Sequence, residues 1–400
     1  NAFKSRSDFM NLSIDTEVIF DERRGKDYIS ANPPFYDSST FHQDQLGGSP
    51  LYDYARSGNP NRTILEEKLA HLEKGKYGFA FASGIAAISA VLLTLKSGDH
   101  VILPDDVYGG TFRLTEDILK RFNIEFTTVD ATQAENIKNA IQSNTKLIYV
   151  ETPSNPCFKV TDIQAVERIA QANQLLLAVD NTFMTPLGQS PLALGADIVI
   201  HSATKFLGGH SDLLAGAVIT NREDVADALY LIQNGTGNAL STYDSWALAK
   251  HLKTFPIRFK QSVANAEKLV SFLSQRDEIA EVYYPGNNKT HLKQAKTGGA
   301  VIGFRLKDET KAQAFVDALT IPLVSVSLGG VETILSHPAT MSHAAIPEDI
   351  RNARGITFGL FRLSVGLENP DELIADINYA LKEAFNESIP EQITEQRFSS

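Results

Sequence analysis

The segment Val199-Ile200-His201-Ser202-Ala203-Thr204-Lys205-Phe206-Leu207-Gly208-Gly209-His210 places a lysine among hydroxyls and glycines just past an apolar run. A lysine at a strand end in an α/β protein stands where ligands bind. Its amine can form a Schiff base with an aldehyde if its surroundings lower its basicity. Ser202 and Thr204 can donate to a phosphate. Alone, the same residues also read as a surface lysine in a polar loop. In Leu175-Leu176-Leu177-Ala178-Val179-Asp180-Asn181-Thr182, an apolar run ends in an aspartate. A carboxylate at the end of a buried strand needs a partner, because an isolated buried charge is costly. It also reads as a helix cap.

About one strand and its connection separate Asp180 from Lys205. Pyridoxal phosphate (PLP) needs both groups: the lysine for its aldehyde, and the carboxylate to keep its ring nitrogen protonated and electron-withdrawing. Phe81-Ala82-Ser83-Gly84-Ile85 adds a strand that turns into a helix. The first N–H groups of a helix are unpaired and carry the positive dipole end, so they can hold a phosphate. No GxGxxG follows a strand and no GxxxxGK[ST] is present, which disfavours nicotinamide and P-loop nucleotide sites.

The elements around these segments alternate. Strand-like runs at Gly78–Ala82, His100–Leu103, Glu125–Val129, Lys146–Val150, Leu175–Val179 and Asp197–Ile200 are interleaved with helix-like runs at Ile85–Lys96, Gly110–Phe122, Ala134–Ile141 and Ile163–Ala172. A further strand is expected at Ala215–Thr220. The pattern predicts βαβ units and a mostly parallel sheet in an α/β fold. Residues 1–60 are loop-rich and lack a periodic apolar face, so they are expected to form an arm that lies on something else, such as another subunit. Residues 61–246 are expected to form the large cofactor-binding domain. Residues 247–400 are expected to form a smaller α+β domain, entered through a long helix from Trp246 to Gln275 bent at Pro256.

The chain has 400 residues, 43% of them hydrophobic, and a formal net charge of −11. The length predicts two domains with cores large enough to need no disulfide or structural metal. The acidic balance argues against nucleic-acid and anionic-membrane partners. The one cysteine, Cys157, excludes an intramolecular disulfide and a thiolate metal cluster. His201 and His210 match no common metal spacing and read as structural, so no metal is expected. No signal peptide or membrane span is expected, which with the cysteine usage fits the cytoplasm.

Taken together, the three segments resemble the Cys/Met-metabolism family of PLP-dependent enzymes, within the group that shares the aspartate-aminotransferase fold. The resemblance runs from about Tyr52 to Phe385. It includes Tyr52-Asp53-Tyr54-Ala55-Arg56-Ser57-Gly58-Asn59-Pro60, Asp106-Val107-Tyr108-Gly109-Gly110, Glu151-Thr152-Pro153-Ser154-Asn155-Pro156 and Arg362-Leu363-Ser364-Val365-Gly366. It implies that Lys205 is the Schiff-base lysine and proton shuttle, and that Asp180 pairs with the ring nitrogen. Tyr108 is implied to stack on the ring and Thr182 to support it. Gly84, Ile85, Ser202 and Thr204 are implied to hold the phosphate. Tyr54 and Arg56 are implied to reach a neighbouring subunit's phosphate, in a homotetramer built from dimers that share active sites. Asn155 is implied to contact both cofactor and substrate, Arg362 the substrate carboxylate, and Ser327 the substrate. Arg56 also reads as a plain surface arginine, and Asn155 as a turn-former between two prolines.

The resemblance further implies a carbon–sulfur lyase acting on an amino-acid thioether. Gly110 stands where the family's methionine γ-lyases usually carry cysteine, and Val326 where cystathionine γ-lyases and γ-synthases commonly carry glutamate. Met341-Ser342-His343-Ala344-Ala345-Ile346-Pro347 is most similar to the family's plant and Gram-positive β-lyases. The expected reaction is β-elimination of L-cystathionine to homocysteine, pyruvate and ammonia. Cystathionine γ-lyase, γ-synthase and O-acyl-homoserine γ-replacement chemistry are the alternatives, and a non-catalytic ligand-binding protein on the same fold is a third.

Overall fold

The computed structural model describes residues 13–19, 30–344 and 346–385. The chain forms two compact units. The first takes the described residues up to Asn155, together with Lys159–Phe259 and Gly286–Gly298. The second takes Pro156–Phe158, Lys260–Pro285 and the described residues from Gly299 on. The passage from one unit to the other at 259/260 falls inside the helix Phe255–Leu273.

The first unit is built on seven strands: β1 (Tyr77–Phe81), β2 (His100–Pro104), β3 (Glu125–Val129), β4 (Thr145–Glu151), β5 (Leu176–Asp180), β6 (Ile198–Ser202) and β7 (Gly216–Thr220). Their order is β1-β7-β6-β5-β4-β2-β3, and β7 alone runs against the others. The near-continuous apolar runs arise because both faces of the sheet are covered. Successive side chains point to opposite faces. Val101, Leu103, Leu147, Tyr149 and Ala178 join one core, while Ile102, Ile148, Val150, Leu177 and Val179 join another. The sheet is mostly parallel, as expected.

The second unit carries β8 (Ile279–Tyr283), β9 (Val301–Leu306), β10 (Leu323–Val324), β11 (Ile334–Ser336) and β12 (Leu360–Ser364), ordered β10-β11-β12-β9-β8. Only β10 and β11 pair in parallel. Phe304, Phe315 and Phe361 form its aromatic centre with ring centroids 5.4–6.0 Å apart.

The helix Pro60–Leu72 starts where Asn59 caps it by accepting from the Asn61 N–H at 2.8 Å, and Pro60 needs no partner at the first position. Two helices differ from the sequence pattern. The run after Tyr108 is a short α-turn, Gly109–Arg113, followed by a π turn and a 3₁₀ turn to Phe122. The long helix expected from Trp246 is two helices, Thr242–His251 and Phe255–Leu273, separated by a 3₁₀ turn. Pro256 sits in the first turn of the second helix, where its missing N–H costs nothing, so it bends no helix.

Candidate active site

Strands β1, β2, β4, β5 and β6 run in one direction, and the chain leaving their carboxyl ends supplies Ser83-Gly84, Tyr108, Glu151 to Asn155, Asp180 and Ser202 to Lys205. Ligands of open α/β sheets bind at that edge. The first unit therefore gathers Gly84, Ile85, Tyr108, Asn155, Asp180, Thr182, Ser202, Thr204 and Lys205 on the same edge.

Ser83 caps the helix Gly84–Leu92, its Oγ accepting from the Ala86 N–H at 3.1 Å. Gly84 lies so close to the end of β6 that a Cβ there would fall 2.6 Å from Ser202 Oγ. Only glycine lets this helix terminus and the Ser202 hydroxyl share one small space, and together they form a cradle for an anion. Ile85 exposes about a third of its surface at that terminus. Thr204 has both functions of its hydroxyl engaged: it donates to Ala215 O at 3.2 Å and accepts from Ala215 N at 2.9 Å. It shapes the turn that carries Lys205.

Lys205 is half-buried. Its backbone N–H donates to Ser202 O at 3.1 Å, and its carbonyl accepts from Gly209 N at 2.7 Å. The next turn is clamped by Arg258, whose guanidinium donates to Phe206 O at 2.9 Å, Leu207 O at 3.3 Å and His251 O at 3.0 Å. Burial lowers the Arg258 pKa to about 10, so it stays charged at neutral pH and draws these carbonyls inward.

Asp180 keeps some surface open at the end of β5, yet protein packs around its carboxyl. Burial raises its pKa, opposed by hydrogen bonds from Thr182. The Thr182 N–H donates to Asp180 Oδ1 at 2.9 Å, and Thr182 Oγ1 accepts from Ser202 N at 2.8 Å. Thr182 thus ties the carboxylate of β5 to the end of β6. The Tyr149 hydroxyl lies 3.4 Å from Asp180 Oδ2 and 3.1 Å from Glu151 Oε1. The Tyr108 ring is 41% exposed. It lies over Gly110, where a Cβ would meet Tyr108 Cε1 at 2.5 Å, so a side chain at 110 displaces it. Asn155 is buried.

His201 faces a carboxylate of the first unit. It is buried, with Nε2 2.5 Å from Glu73 Oε1, which also accepts from Asn181 Nδ2 at 2.8 Å. His210 packs on His251, ring centroids 4.4 Å apart. Among the described residues no group of His, Cys, Asp and Glu is arranged to hold a metal ion. Among them also, no helix is long and apolar enough to cross a membrane.

Tyr54 and Arg56 lie on the described part of the expected arm, the guanidinium 5.5 Å from the Tyr54 ring centroid. Arg56 Nη1 donates to Asn234 O at 2.7 Å.

In the second unit, Arg362 lies buried on β12 opposite Ser336 of β11. Its Nη2 donates to Ser336 Oγ at 2.9 Å and to Ser327 O at 2.5 Å. Ser327 has φ +84, a left-handed conformation that costs a non-glycine residue energy and that turns its carbonyl to the arginine. His343 is 2% exposed and bonds Ser342 through Nδ1 at 2.8 Å. Burial, then the charges of Arg362, Arg354 and Arg351, lowers its pKa from 6.5 to about 4. A neutral histidine leaves this arginine cluster its full positive charge, which suits a carboxylate ligand.

That histidine has a consequence for stability. Between about pH 6.5 and about pH 4 the unfolded chain binds a proton that the folded chain refuses. The contribution, about 3 kcal/mol, is therefore fully present above about pH 6.5 and is lost as the pH falls toward about 4. Thermal melts across this range are expected to show a shallower acid decline for His343→Gln than for the parent chain. Equal slopes would contradict it.

The sequence profile of the Cys/Met metabolism PLP-dependent enzymes matches residues 15–382. The chain belongs to this family. It is 81% identical over 391 residues, 98% of this chain and 100% of the relative, to the protein described as cystathionine beta-lyase MetC of Staphylococcus haemolyticus (strain JCSC1435). It is 46% identical over 381 residues, 93% of this chain and 97% of the relative, to the protein of the same description from Bacillus subtilis (strain 168). A crystal structure described as cystathionine gamma-lyase from Lactobacillus plantarum complexed with L-serine superposes with a TM-score of 0.90 at 40% identity, covering 94% of this chain and 100% of that one.

The cofactor is pyridoxal phosphate, and the residues at the sheet edge fit it. A capped helix terminus with a cradle that a Cβ would fill suits the phosphate. A half-buried aspartate suits the ring nitrogen, an accessible tyrosine ring suits its face, and a half-buried lysine suits the aldehyde.

Tyr149, Glu151 and Arg258 are functional neighbours that the sequence motifs do not assign. Glu151 follows an apolar run as Asp180 does, so its signal was present. Tyr149 reads as core, and Arg258 acts on carbonyls about fifty positions away, which no local pattern reveals.

Proposed function

We propose that this enzyme is a carbon–sulfur lyase that cleaves L-cystathionine by β-elimination, giving homocysteine, pyruvate and ammonia with uptake of one water. The observation that carries the reading is the 81% identity, over nearly the whole chain, to a cystathionine β-lyase. The fold alone would not choose, since a γ-lyase shares it at 40% identity.

When bound, the cofactor supplies an electron sink that lets a proton leave the substrate's Cα. Asp180 keeps the ring nitrogen protonated by giving it an anionic partner. The phosphate is held by the N–H groups of Gly84 and Ile85 and by Ser202, with Thr204 shaping the turn. Tyr108 fixes the ring plane by offset stacking. Lys205 Nζ binds the cofactor, accepts the Cα proton once freed, and with the Tyr108 hydroxyl returns a proton to the departing sulfur. Arg362 and Ser327 of the second unit are proposed as substrate contacts, Arg362 meeting a carboxylate by charge-assisted hydrogen bonds; Asn155 of the first unit is proposed as a contact of cofactor and substrate. Val326 is 57% exposed and offers no carboxylate to a distal ammonium, which supports a lyase that does not hold the far end of cystathionine there.

Tyr54 and Arg56 are proposed to bind a neighbouring subunit's phosphate in a homotetramer of dimers, in the cytoplasm. Chains carrying Arg56→Ala and chains carrying Lys205→Ala are each expected to be inactive. Refolded together, they are expected to regain activity in hybrid dimers, where one site carries both changes and the other neither. No recovery in verified hybrids would contradict shared sites.

The alternative replacement chemistry is tested with O-acetylhomoserine and a thiol. Cystathionine breakdown without thiol-dependent product is expected, and faster thiol replacement would move the assignment to a γ-replacement transferase.

A further inference from the structure

Glu151 ends β4 beside Asp180, with which it is in register, and is 7% exposed. Both of its oxygens face the Tyr108 N–H, at 3.1 and 3.2 Å. One of them, Oε1, also lies 3.1 Å from the Tyr149 hydroxyl, which reaches on to Asp180 Oδ2 at 3.4 Å. Tyr149 is fully buried. One carboxyl therefore touches the backbone of the residue assigned to the cofactor's face. Through one phenol it also touches the residue assigned to the ring nitrogen.

Proton counting limits the arrangement. A phenol has one hydrogen. If Glu151 and Asp180 were both ionised, that hydrogen would serve two buried anions, and one oxygen would face the phenol oxygen lone pairs. If Glu151 is the neutral acid, each contact within the trio has its own hydrogen, and the second lone pair of the phenol oxygen is left for Thr111. The Tyr108 N–H donates to Glu151 Oε2, the acid hydrogen on Oε1 donates to Tyr149 Oη, and the Tyr149 hydrogen donates to Asp180. The charged and titratable surroundings point the same way. Asp180 and Asp106 both act on Glu151 by their charge, His201 acts on Asp180, and burial together with Asp180 pushes the Glu151 carboxyl well above the usual range. Burial and the charge of Asp180 also keep Tyr149 protonated.

We propose that Glu151 is a positioning residue that works as the neutral carboxylic acid, heading a hydrogen-bond chain through Tyr149 that orients the Asp180 carboxylate, while its other oxygen fixes the backbone of Tyr108. The chain places Asp180 against the ring nitrogen and so rests on the role proposed for Asp180. It leaves Asp180 as the one anion of the trio, which concentrates the negative charge on the residue that meets a cation.

The test uses the full-length enzyme with and without added PLP. Glu151→Gln supplies an N–H where the acid has its O–H and a carbonyl where it has its other oxygen. It is expected to keep cofactor affinity, the visible absorption band, the pH midpoint of that band, and kcat within about threefold. Tyr149→Phe and Glu151→Ala are expected to weaken cofactor binding about tenfold and to move the midpoint, with far-ultraviolet circular dichroism confirming the fold. Infrared spectra of the cofactor-free chain are expected to contain a carboxylic-acid C=O stretch that shifts in heavy water and is missing in Glu151→Gln. If Glu151→Gln fails as Glu151→Ala does, or if no acid band is lost, Glu151 works as an anion and the proposal is wrong. If Tyr149→Phe matches the parent throughout, no chain operates. Asp180→Asn serves as the separate control: unchanged affinity and spectrum there would remove the assignment of Asp180 itself, a result distinguishable from failure of the chain.

Discussion

Lys205→Ala is expected to lose the visible band that the cofactor shows when joined to the protein, and to lower kcat/KM by roughly 10⁴-fold, the upper end of what a positioned proton-transfer group contributes. The expectation follows from how the residue is held. An apolar strand, Ile198–Ile200, is buried completely, and the chain leaves it through Ser202 and Ala203 into a tight turn. The Thr204 hydroxyl closes that turn against Ala215, and Arg258 gathers the carbonyls of Phe206 and Leu207. The backbone at 205 is thus fixed by groups other than the lysine side chain, so removing the amine is expected to leave the fold and melting temperature nearly unchanged. Two functions disappear at once, the attachment of the cofactor and the base at Cα. A retained band with normal turnover would sink the assignment.

Asp180→Asn is expected to be the second largest loss. An amide has nearly the shape of the carboxylate and keeps the hydrogen bond from the Thr182 N–H, but carries no charge. Removing one partner of a buried ion pair costs about 3–5 kcal/mol. At about 1.4 kcal/mol per tenfold this is roughly 10²–10⁴ in kcat/KM, together with weaker retention of the cofactor on dialysis. Because burial raises the pKa of Asp180 in the chain alone, the cofactor's positive ring nitrogen is expected to draw it back down. A variant within about threefold of the parent would show that the ring nitrogen needs no anion here.

Much of the candidate site is legible in the sequence, for one physical reason. Strands covered on both faces read as unbroken apolar runs, so the first polar residue after each run marks the sheet edge where ligands bind. Asp180, Ser83-Gly84 and the Ser202 to Lys205 turn all announce themselves this way. Glu151 carries the same mark at the end of β4. Tyr149 was hidden because its ring belongs to the core while its hydroxyl belongs to the site. Thr204 reads as free to hold a phosphate because its engagement with Ala215, the residue before β7 and eleven positions on, is not a local pattern. Pro256 looked like a kink because a continuous helical pattern conceals the 3₁₀ turn at Leu252–Thr254 that lets it sit at a helix start. The residues that sequence reading misses here act through long-range partners, and a local pattern does not carry those.

β- and γ-elimination release different products from L-cystathionine, so one measurement separates them. The PLP-loaded enzyme is mixed with L-cystathionine, and the keto acid and thiol released are identified by mass. Pyruvate with homocysteine is the expected result. Release of 2-oxobutyrate with cysteine would contradict it and would mean that the valine at 326 does not mark a β-lyase.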